Sequence, residues 1–244
     1  MLSCMKNVVR QNFDASVDAY TTYERRTNRF TSLARLLAAE MEARTDGGLG
    51  TVLDAGAGTG VGTRVFAETA ADTIALDISR EMLNEIESTA RLQADFDHLP
   101  LSDQSVDGVA FTASLFLVPD PATAVREAAR VLRSGGVVGA VAPLGWFDSD
   151  GTDAFEQFER ESRSPTDTPA IRDALAAEFS ATTGTWKFST SAENIRLFHA
   201  IPAMAARLYP KLETEKRVRQ ARELLGALDG TFEQRWRWVV GVPE

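Results

Sequence analysis

The chain has 244 residues, of which 44% are hydrophobic and 25% are charged. A chain of this length can bury a substantial apolar core, so we predict one large globular domain rather than two complete ones. The formal net charge of -9 argues against bulk nucleic-acid binding, because an acidic surface repels phosphates. Cys4 is the only cysteine, so disulfides within the chain and cysteine-ligated zinc or iron–sulfur sites lack their ligands.

Other sequence features bear on metals and membranes. His98 and His199, the two histidines, lie far apart in the sequence, so we expect no metal site. No run approaches the roughly 20 consecutive apolar residues of a membrane helix, and residues 1–10 lack the apolar segment of a secretory signal. We therefore expect a cytoplasmic monomer or homodimer that binds neither nucleic acid nor a membrane.

Predicted helices and strands alternate along the first 145 residues. One or two amphipathic helices over 12–44 precede strand-like runs at 51–54, 73–77, 92–95, 106–111 and 137–141, with helices beginning near 61, 79 and 121. This alternation predicts an α/β fold, a doubly wound and mostly parallel seven-stranded sheet with helices on both faces and a helical lid.

The rhythm changes after residue 143. Helices are predicted over 146–163, 171–179, 192–208 and 213–228, with strands at 186–189 and 235–240. We divide the chain into an N-terminal helical cap (1–45), a cofactor-binding core (46–143), a mostly helical substrate and lid region (144–230) and a final strand returning to the sheet (231–244).

A glycine-rich turn follows the first predicted strand and opens a helix. Its glycines, Gly56, Gly58 and Gly60, allow positive φ and close backbone approach, so a ligand can rest on the turn. Nicotinamide enzymes use Gly-x-Gly-x-x-Gly to receive a pyrophosphate, whereas here Thr63 replaces the last glycine. Asp54 precedes the turn, and a carboxylate there suits the cationic amino-acid part of S-adenosylmethionine better than a pyrophosphate.

Two more acids follow the next strands. Asp77 ends the second predicted strand, where a carboxylate can accept both hydroxyls of a ribose. Asp95 ends the third, where it can accept an adenine amino hydrogen while Phe96 packs on the base. Each acid alone could be a cap, a solvated strand end or a turn former. Their joint position at successive strand ends predicts one site.

These motifs, together with Arg130–Gly136, resemble the motif series of class I S-adenosylmethionine-dependent methyltransferases over roughly residues 12–145. The opening Phe13–Tyr20 resembles the malonyl-carrier-protein and ubiquinone/menaquinone methyltransferase groups, in which such a segment lies over the cofactor. The resemblance implies that Gly56, Gly58 and Gly60 line the methionine part, Asp77 holds the ribose, Asp95 and Phe96 hold the adenine, and Phe111 and Thr112 form the edge after strand four. Asp54 and Ile78 are predicted to bind the cofactor as well.

Methyl transfer is an in-line displacement, so positioning can supply most of the acceleration and a general base is optional. His199 is the candidate base, and Tyr20 a candidate lid residue; a packed histidine and a half-buried ring are the alternatives. Phe116, Trp146 and Phe147 could form an aromatic wall of the acceptor pocket or pack in the core.

The sequence thus predicts an S-adenosylmethionine-dependent methyltransferase that acts on a small molecule or carrier-bound metabolite by direct in-line transfer. One alternative is a carboxyl O-methyltransferase of the malonyl-carrier-protein type, which only the opening segment supports. The other is a protein that binds S-adenosylmethionine without turnover.

Overall fold

A computed structural model describes residues 2–87, 89–118, 120–158 and 168–243. Within these ranges the helices are α1 (Leu2–Asp14), α2 (Val17–Thr27), α3 (Arg29–Glu42), α4 (Val61–Phe66), α5 (Arg80–Asn84), α6 (Pro121–Val131), α7 (Thr168–Glu178), α8 (Ala192–His199), α9 (Pro202–Leu208) and α10 (Thr214–Leu224). The strands are β1 (Thr51–Ala55), β2 (Asp72–Asp77), β3 (Ala90–Gln93), β4 (Val106–Thr112), β5 (Leu132–Phe147), β6 (Ser180–Ser191) and β7 (Thr231–Val242). Short 3₁₀ turns lie at Leu115–Leu117 and Leu225–Ala227.

The strands form one seven-stranded sheet in the order β3-β2-β1-β4-β5-β7-β6. The pairs β2–β3, β1–β2, β1–β4 and β4–β5 are parallel. The order reverses direction at β1, which is the topological switch point where open α/β sheets bind ligands beyond the strand ends. The predicted doubly wound, mostly parallel α/β fold is confirmed.

Contacts divide the chain into two units, each assembled from separate segments. The first, which we call the helical unit, comprises Met1–Asn28, Leu144–Ser164 and Trp186–Trp236. The second, the sheet unit, comprises Arg29–Pro143, Pro165–Thr185 and Arg237–Glu244. The four-part division predicted from the sequence is finer than this and stays a prediction.

The sheet unit is held together by apolar packing on both faces of its central strands. On one side, side chains of β1, β4, β5, α6 and α7 form a continuous core. Elsewhere in the unit, a Cβ on Gly139 of β5 would lie 2.7 Å from Met41 Sδ and 2.8 Å from Leu37 Cδ1. The glycine therefore lets α3 pack against bare strand backbone, and burying its two large side chains stabilises the fold by roughly 1.5–3 kcal/mol each.

In the helical unit, hydrogen bonds and ring contacts connect segments far apart in sequence. Ser16, at the junction of α1 and α2, donates its hydroxyl to Asn12 O and accepts a 3.0 Å bond from the Ala203 amide at the start of α9. The buried Arg217 of α10 donates to Asn12 Oδ1 (2.7 Å). These bonds satisfy polar groups that would otherwise be buried without partners.

Some predicted elements differ from the structure. Residues 146–158 are not helical: Trp146 and Phe147 continue β5, and turns follow, while the remainder of the predicted helix, 159–163, lies outside the described residues. The acids of that segment start turns instead, since Asp148 Oδ1 accepts the amides of Asp150 and Thr152 (2.9 and 2.8 Å). β3 ends at Gln93, so Asp95 follows the strand by two residues rather than ending it.

No helix among the described residues combines the length and apolarity needed to cross a lipid bilayer.

Candidate functional site

The glycine turn between β1 and α4 has the backbone conformation predicted for it. Gly56, Gly58 and Gly60 have φ of 84°, 54° and 78°, which lie in the left-handed region that favours glycine. The amides of Gly56 and Ala57 both donate to Leu76 O, at 2.7 and 2.9 Å, and so fix the turn to β2. A turn that exposes backbone and is hydrogen-bonded to β2 therefore lies at the carboxyl end of β1.

Gly56 is also confined by its neighbours. A Cβ there would lie 2.3 Å from Ser114 Cβ and 3.0 Å from Phe96 Cζ. Ser114, which is buried, donates its hydroxyl to Ala55 O at 2.6 Å. The segments that follow β3 and β4 thus pack directly against the turn. Ser114 was not among the predicted site residues. The sequence signal for it was a small polar residue just after a predicted strand.

Asp77 ties the turn to the end of β2. Its Oδ2 accepts the Gly58 amide at 2.9 Å, and its Oδ1 accepts the Ser79 amide at 2.8 Å. The side chain is 7% exposed. Ile78, next to it, is half-buried and its carbonyl accepts a 3.2 Å bond from the Gln93 amide nitrogen. Each carboxylate oxygen has a second lone pair, so Asp77 can hold the turn and still accept a ligand's hydroxyls.

Asp54, in β1, is 1% exposed. Thr63 donates its hydroxyl to Asp54 Oδ2 at 2.8 Å, a bond that glycine at this position could not form. Burial raises the pKa of Asp54 to about 7, the Thr63 hydrogen bond opposes this, and the negative charge of Asp77 adds to it. A cation close to Asp54 would reverse this balance and stabilise the carboxylate.

Asp95 and Phe96 form the segment after β3. Asp95 Oδ1 accepts the Asp97 amide at 3.2 Å, and Asp95 forms an isolated bridge with the exposed His98. The Phe96 ring meets Phe111 of β4 edge-on, with 5.6 Å between centroids. Phe96 thus has one ring contact to the core and another to the glycine turn.

The end of β4 has two unusual features. Thr112 Oγ1 is shielded from solvent and has no hydrogen-bond partner among the described residues. Ala113, the next residue, has a φ of 57°, a left-handed conformation that costs a non-glycine residue about 1–2 kcal/mol. Orphaned polar atoms and strained backbone persist mainly where a ligand or a function compensates for them.

The predicted site residues fall into both units. All of the predicted cofactor-binding residues belong to the sheet unit: Asp54, Gly56, Gly58, Gly60, Asp77, Ile78, Asp95, Phe96, Phe111 and Thr112. The structure brings Asp54, Asp77 and the glycine turn together, with Phe96 against them. Tyr20, half-buried, and His199, buried, belong to the helical unit, as do Trp146 and Phe147.

His199 lies among aromatic rings of its own unit. Its ring centroid is 4.9 Å from both Trp146 and Phe155, and Nδ1 is 2.9 Å from Ile195 O. Because the carbonyl can only accept, the contact favours the tautomer that carries its proton on Nδ1.

Comparison with known proteins shows which family this site resembles. Residues 53–139, which contain the glycine turn and its acids, match the methyltransferase domain family. Residues 53–139 are a methyltransferase domain. The predicted resemblance is confirmed, and the methyl donor of this class is S-adenosylmethionine.

Curated relatives align over the same domain. An uncharacterized methyltransferase of Mycobacterium tuberculosis is 41% identical over 104 residues (39% of this chain, 42% of the relative). A malonyl-[acyl-carrier protein] O-methyltransferase of Dechloromonas aromatica is 42% identical over 98 residues (38% and 36%). A demethylmenaquinone methyltransferase of Renibacterium salmoninarum is 37% identical over 90 residues (35% and 38%). The chain spans about two fifths of the length of the curated relatives it matches.

Solved structures show the same fold over most of the chain. The YcgJ protein of Bacillus subtilis superposes with a TM-score of 0.61 at 18% identity, covering 87% of this chain and 98% of that one. The cyclase SpnF superposes with a TM-score of 0.52 at 19% identity, covering 86% and 81%. The fold is therefore shared with a protein that is named for a cyclisation rather than for a methyl transfer.

The residues of the sheet unit fit S-adenosylmethionine. Carboxylates at Asp54 and Asp77 complement a ligand with a cationic end and a ribose, and the turn between them exposes backbone rather than side chains. The Thr112 hydroxyl, orphaned among the described residues, is available to a polar ligand atom.

Proposed function

We propose that this protein is an S-adenosylmethionine-dependent methyltransferase that acts on a small molecule or a carrier-bound metabolite. The observation that carries the proposal is the buried Asp54 carboxyl, whose pKa burial raises to about 7, beside the positive-φ glycine turn that Asp77 holds. A protein tolerates such a costly acid where a ligand's positive charge compensates for it.

We assign each binding residue a role that its surroundings support. Asp54 would neutralise the amino group of the methionine part, Gly56, Gly58 and Gly60 would give its backbone room, and Asp77 would accept ribose hydroxyls. Asp95 and Phe96 would bind the adenine, with Thr112 at the edge of the site. When bound, the sulfonium supplies an electrophilic methyl group. The chain's own task is then to orient the acceptor and exclude water.

The acceptor-binding residues are proposed to come from the helical unit. It contains His199, Tyr20 and Trp146, and its aromatic rings suit an apolar or planar acceptor. A neutral His199 that donates from Nδ1 to Ile195 O carries its lone pair at Nε2, the atom from which a general base acts. We propose a cytoplasmic monomer or homodimer whose acidic surface disfavours nucleic acid.

A carboxyl O-methyltransferase of the malonyl-carrier-protein type is the second candidate. It is supported by the opening Phe13–Tyr20 and by the D. aromatica relative, which is 42% identical over its 98 aligned residues. A malonylated carrier protein, used as the acceptor with labelled donor, would receive the methyl group under this candidate. A free small molecule would receive it under the first.

The cofactor is tested by calorimetry with S-adenosylmethionine and with a nicotinamide dinucleotide. We expect only the first to bind. Asp77→Ala should weaken binding about 10- to 100-fold, since a hydrogen bond to a charged group contributes roughly 1.5–3 kcal/mol. Asp72→Ala, an exposed acid at the opposite end of β2, is the matched control and should bind normally. Binding of the dinucleotide alone would refute the cofactor assignment.

Turnover is tested separately with isotopically labelled donor in cell extract. Label should move to a small product or a carrier protein. Label found only in RNA would contradict the proposed acceptor class. Donor binding without any transfer would favour the non-catalytic alternative.

A further inference from the structure

The first half of β7, up to Trp236, belongs to the helical unit and buries polar groups on one face. Over residues 232–237 buried and half-buried positions alternate, so Phe232, Gln234 and Trp236 point to one side of the strand. Gln234 and Trp236 are both 0% exposed. Neither amide atom of Gln234 nor the indole nitrogen of Trp236 has a hydrogen-bond partner within the described part of the chain. Two donors and an acceptor thus lie in the interior on a single strand face.

Contacts with the neighbouring strand, β5, show on which side of the sheet Gln234 and Trp236 lie. The Arg235 guanidinium lies 3.9 Å from the centroid of the Phe147 ring, and β5 is next to β7 in the sheet, so these two side chains share a side. Because side chains alternate along a strand, Trp146 points to the opposite side of β5. Trp146 therefore lies on the same side of the sheet as Gln234 and Trp236.

Aromatic rings surround Trp146 on that side. Its ring centroid lies 5.5 Å from Phe155, 5.3 Å from Phe198 and 4.9 Å from His199. The charged residues of β7 lie on the other side, where Glu233 accepts a bond from Arg235 at 2.5 Å. The buried face of β7 therefore presents neutral hydrogen-bonding groups beside an aromatic cluster.

Polar side chains that are buried without partners destabilise a protein, and natural proteins carry few of them. A glutamine with both amide atoms in this state destabilises the ligand-free protein unless something outside the chain completes its bonds. Destabilising residues of this kind are retained chiefly where function requires them.

We propose that Gln234 and Trp236 form the recognition end of the acceptor site, and that they bind a neutral hydroxyl or amide group on a planar, unsaturated acceptor. The ligand oxygen would accept from the Gln234 amide and the Trp236 indole, and the hydroxyl O–H or the amide N–H of the ligand would donate to Gln234 Oε1. The rings around Trp146 would cover the planar part. The inference rests on the proposed function for its view of the ligand as the methyl acceptor.

The neutrality of this face selects the ligand class. A carboxylate or phosphate brought against β7 would lose its hydration without gaining a positive partner on that strand face, since Arg235 points away. A hydrocarbon would leave all three polar atoms unsatisfied. A hydroxyl or amide group can form hydrogen bonds with these three atoms without burying a charge.

The test uses the intact protein, with phenol, 2-naphthol and 2-naphthamide as probes and naphthalene and 2-naphthoate as comparisons. The indole N–H signals of ¹⁵N-labelled protein report binding, and the Trp236 signal is assigned through its loss in Trp236→Phe. We expect at least one neutral polar probe to shift this signal and to bind tenfold or more tightly than both comparisons. Gln234→Met should weaken that probe tenfold or more, whereas Gln220→Met, an exposed glutamine on α10, should not.

The thermal stability of Gln234→Met distinguishes a role of Gln234 in ligand recognition from a structural role. Gln234→Met removes orphaned atoms and keeps the side-chain volume, so its Tm should equal or exceed that of the wild type. The proposal is overturned by a large fall in Tm, by equal binding of probes and comparisons, by unchanged probe affinity in Gln234→Met, or by failure of all three neutral probes to bind. Donor affinity is measured independently, so failure of the proposed function would appear there and not in the probe series.

Discussion

Asp54 has a carboxyl group whose ionisation opposes folding in the ligand-free protein. Its folded-state pKa, about 7, lies above the ordinary value of 3.8 because of burial, so the folded state holds its proton more tightly than the unfolded state. This component of stability is present at low pH and is lost as pH rises through about 7.

Asp54→Asn tests this directly, since the amide keeps an acceptor for Thr63 but cannot ionise. We expect the unfolding free energy of the variant, relative to wild type, to be higher at pH 8 than at pH 5. Urea denaturation at the two pH values measures it. An identical difference between variant and wild type at both values would mean that Asp54 does not titrate with a raised pKa.

The same protonation should couple to donor binding. A cationic ligand favours the ionised carboxyl, so affinity for S-adenosylmethionine should increase as pH rises through about 7 and level off above it. Calorimetry in buffers of different ionisation enthalpy should also detect proton release on binding near pH 7. Asp54→Asn should bind more weakly and lose this pH dependence. A pH-independent affinity in the wild type would contradict the proposed role of Asp54.

The positions of glycines and acids at strand ends could be predicted from the sequence, because turns and ligand contacts require particular residue types there. Gly56 and Asp77 stand where the sequence pattern indicated, whereas their roles toward the cofactor stay predictions. Ser114 and Gln234 were not predictable, since their importance lies in contacts with, or the lack of, partners distant in sequence.

At the scale of elements, the glycine turn makes two separable demands on Gly56, which a matched glycine distinguishes. Gly135 also has a positive φ, 78°, but a Cβ there would meet nothing within 4 Å. Gly135→Ala should therefore cost about 1–2 kcal/mol from backbone conformation alone. Gly56→Ala should cost about 1–3 kcal/mol more, because its Cβ would lie 2.3 Å from Ser114 Cβ. Chemical denaturation measures both.

A second substitution locates the clash. Adding Ser114→Gly to Gly56→Ala removes the atom 2.3 Å away and should recover part of the additional loss, although the bond from Ser114 to Ala55 O is lost as well. Equal stability of Gly56→Ala and Gly135→Ala would show that the turn is not held by this contact.

Elements were predicted well where the pattern was strong and local. The β-branched run at 137–141 and the alternation up to β5 indicated a parallel sheet, which is confirmed. The helix predicted from Trp146 was wrong. Its first two apolar residues, Trp146 and Phe147, continue β5, and a turn follows them. A short apolar run cannot by itself distinguish these outcomes.

The whole molecule has an excess of negative charge, with 35 Asp and Glu against 26 Lys and Arg. Self-repulsion destabilises the compact state, and salt screens it, since the Debye length falls from about 10 Å at 0.1 M to about 3 Å at 1 M. We expect Tm to rise between 0.1 and 1 M NaCl. Potassium chloride at equal ionic strength is the control and should give the same rise in Tm. Sodium sulfate is unsuitable because it also strengthens the burial of apolar surface. A fall in Tm would mean that attractive ion pairs outweigh the repulsion.

The division into two units could not have been predicted from a reading in chain order, because each unit collects three separate segments. Patterns of apolar residues report which stretches are buried and not which distant stretch covers them.

The bond between Ser16 and the Ala203 amide spans 187 residues, and it joins helices within one unit. During synthesis at roughly 5–20 residues per second, α1 and α2 would wait about 10–40 seconds for α9 to be made. Through that interval the contacts of α1 with α9 and of α2 with α8 cannot form, so we expect the nascent chain to depend on ribosome-associated chaperones. Synonymous slowing of translation between the two segments should therefore increase aggregation without altering a single side chain.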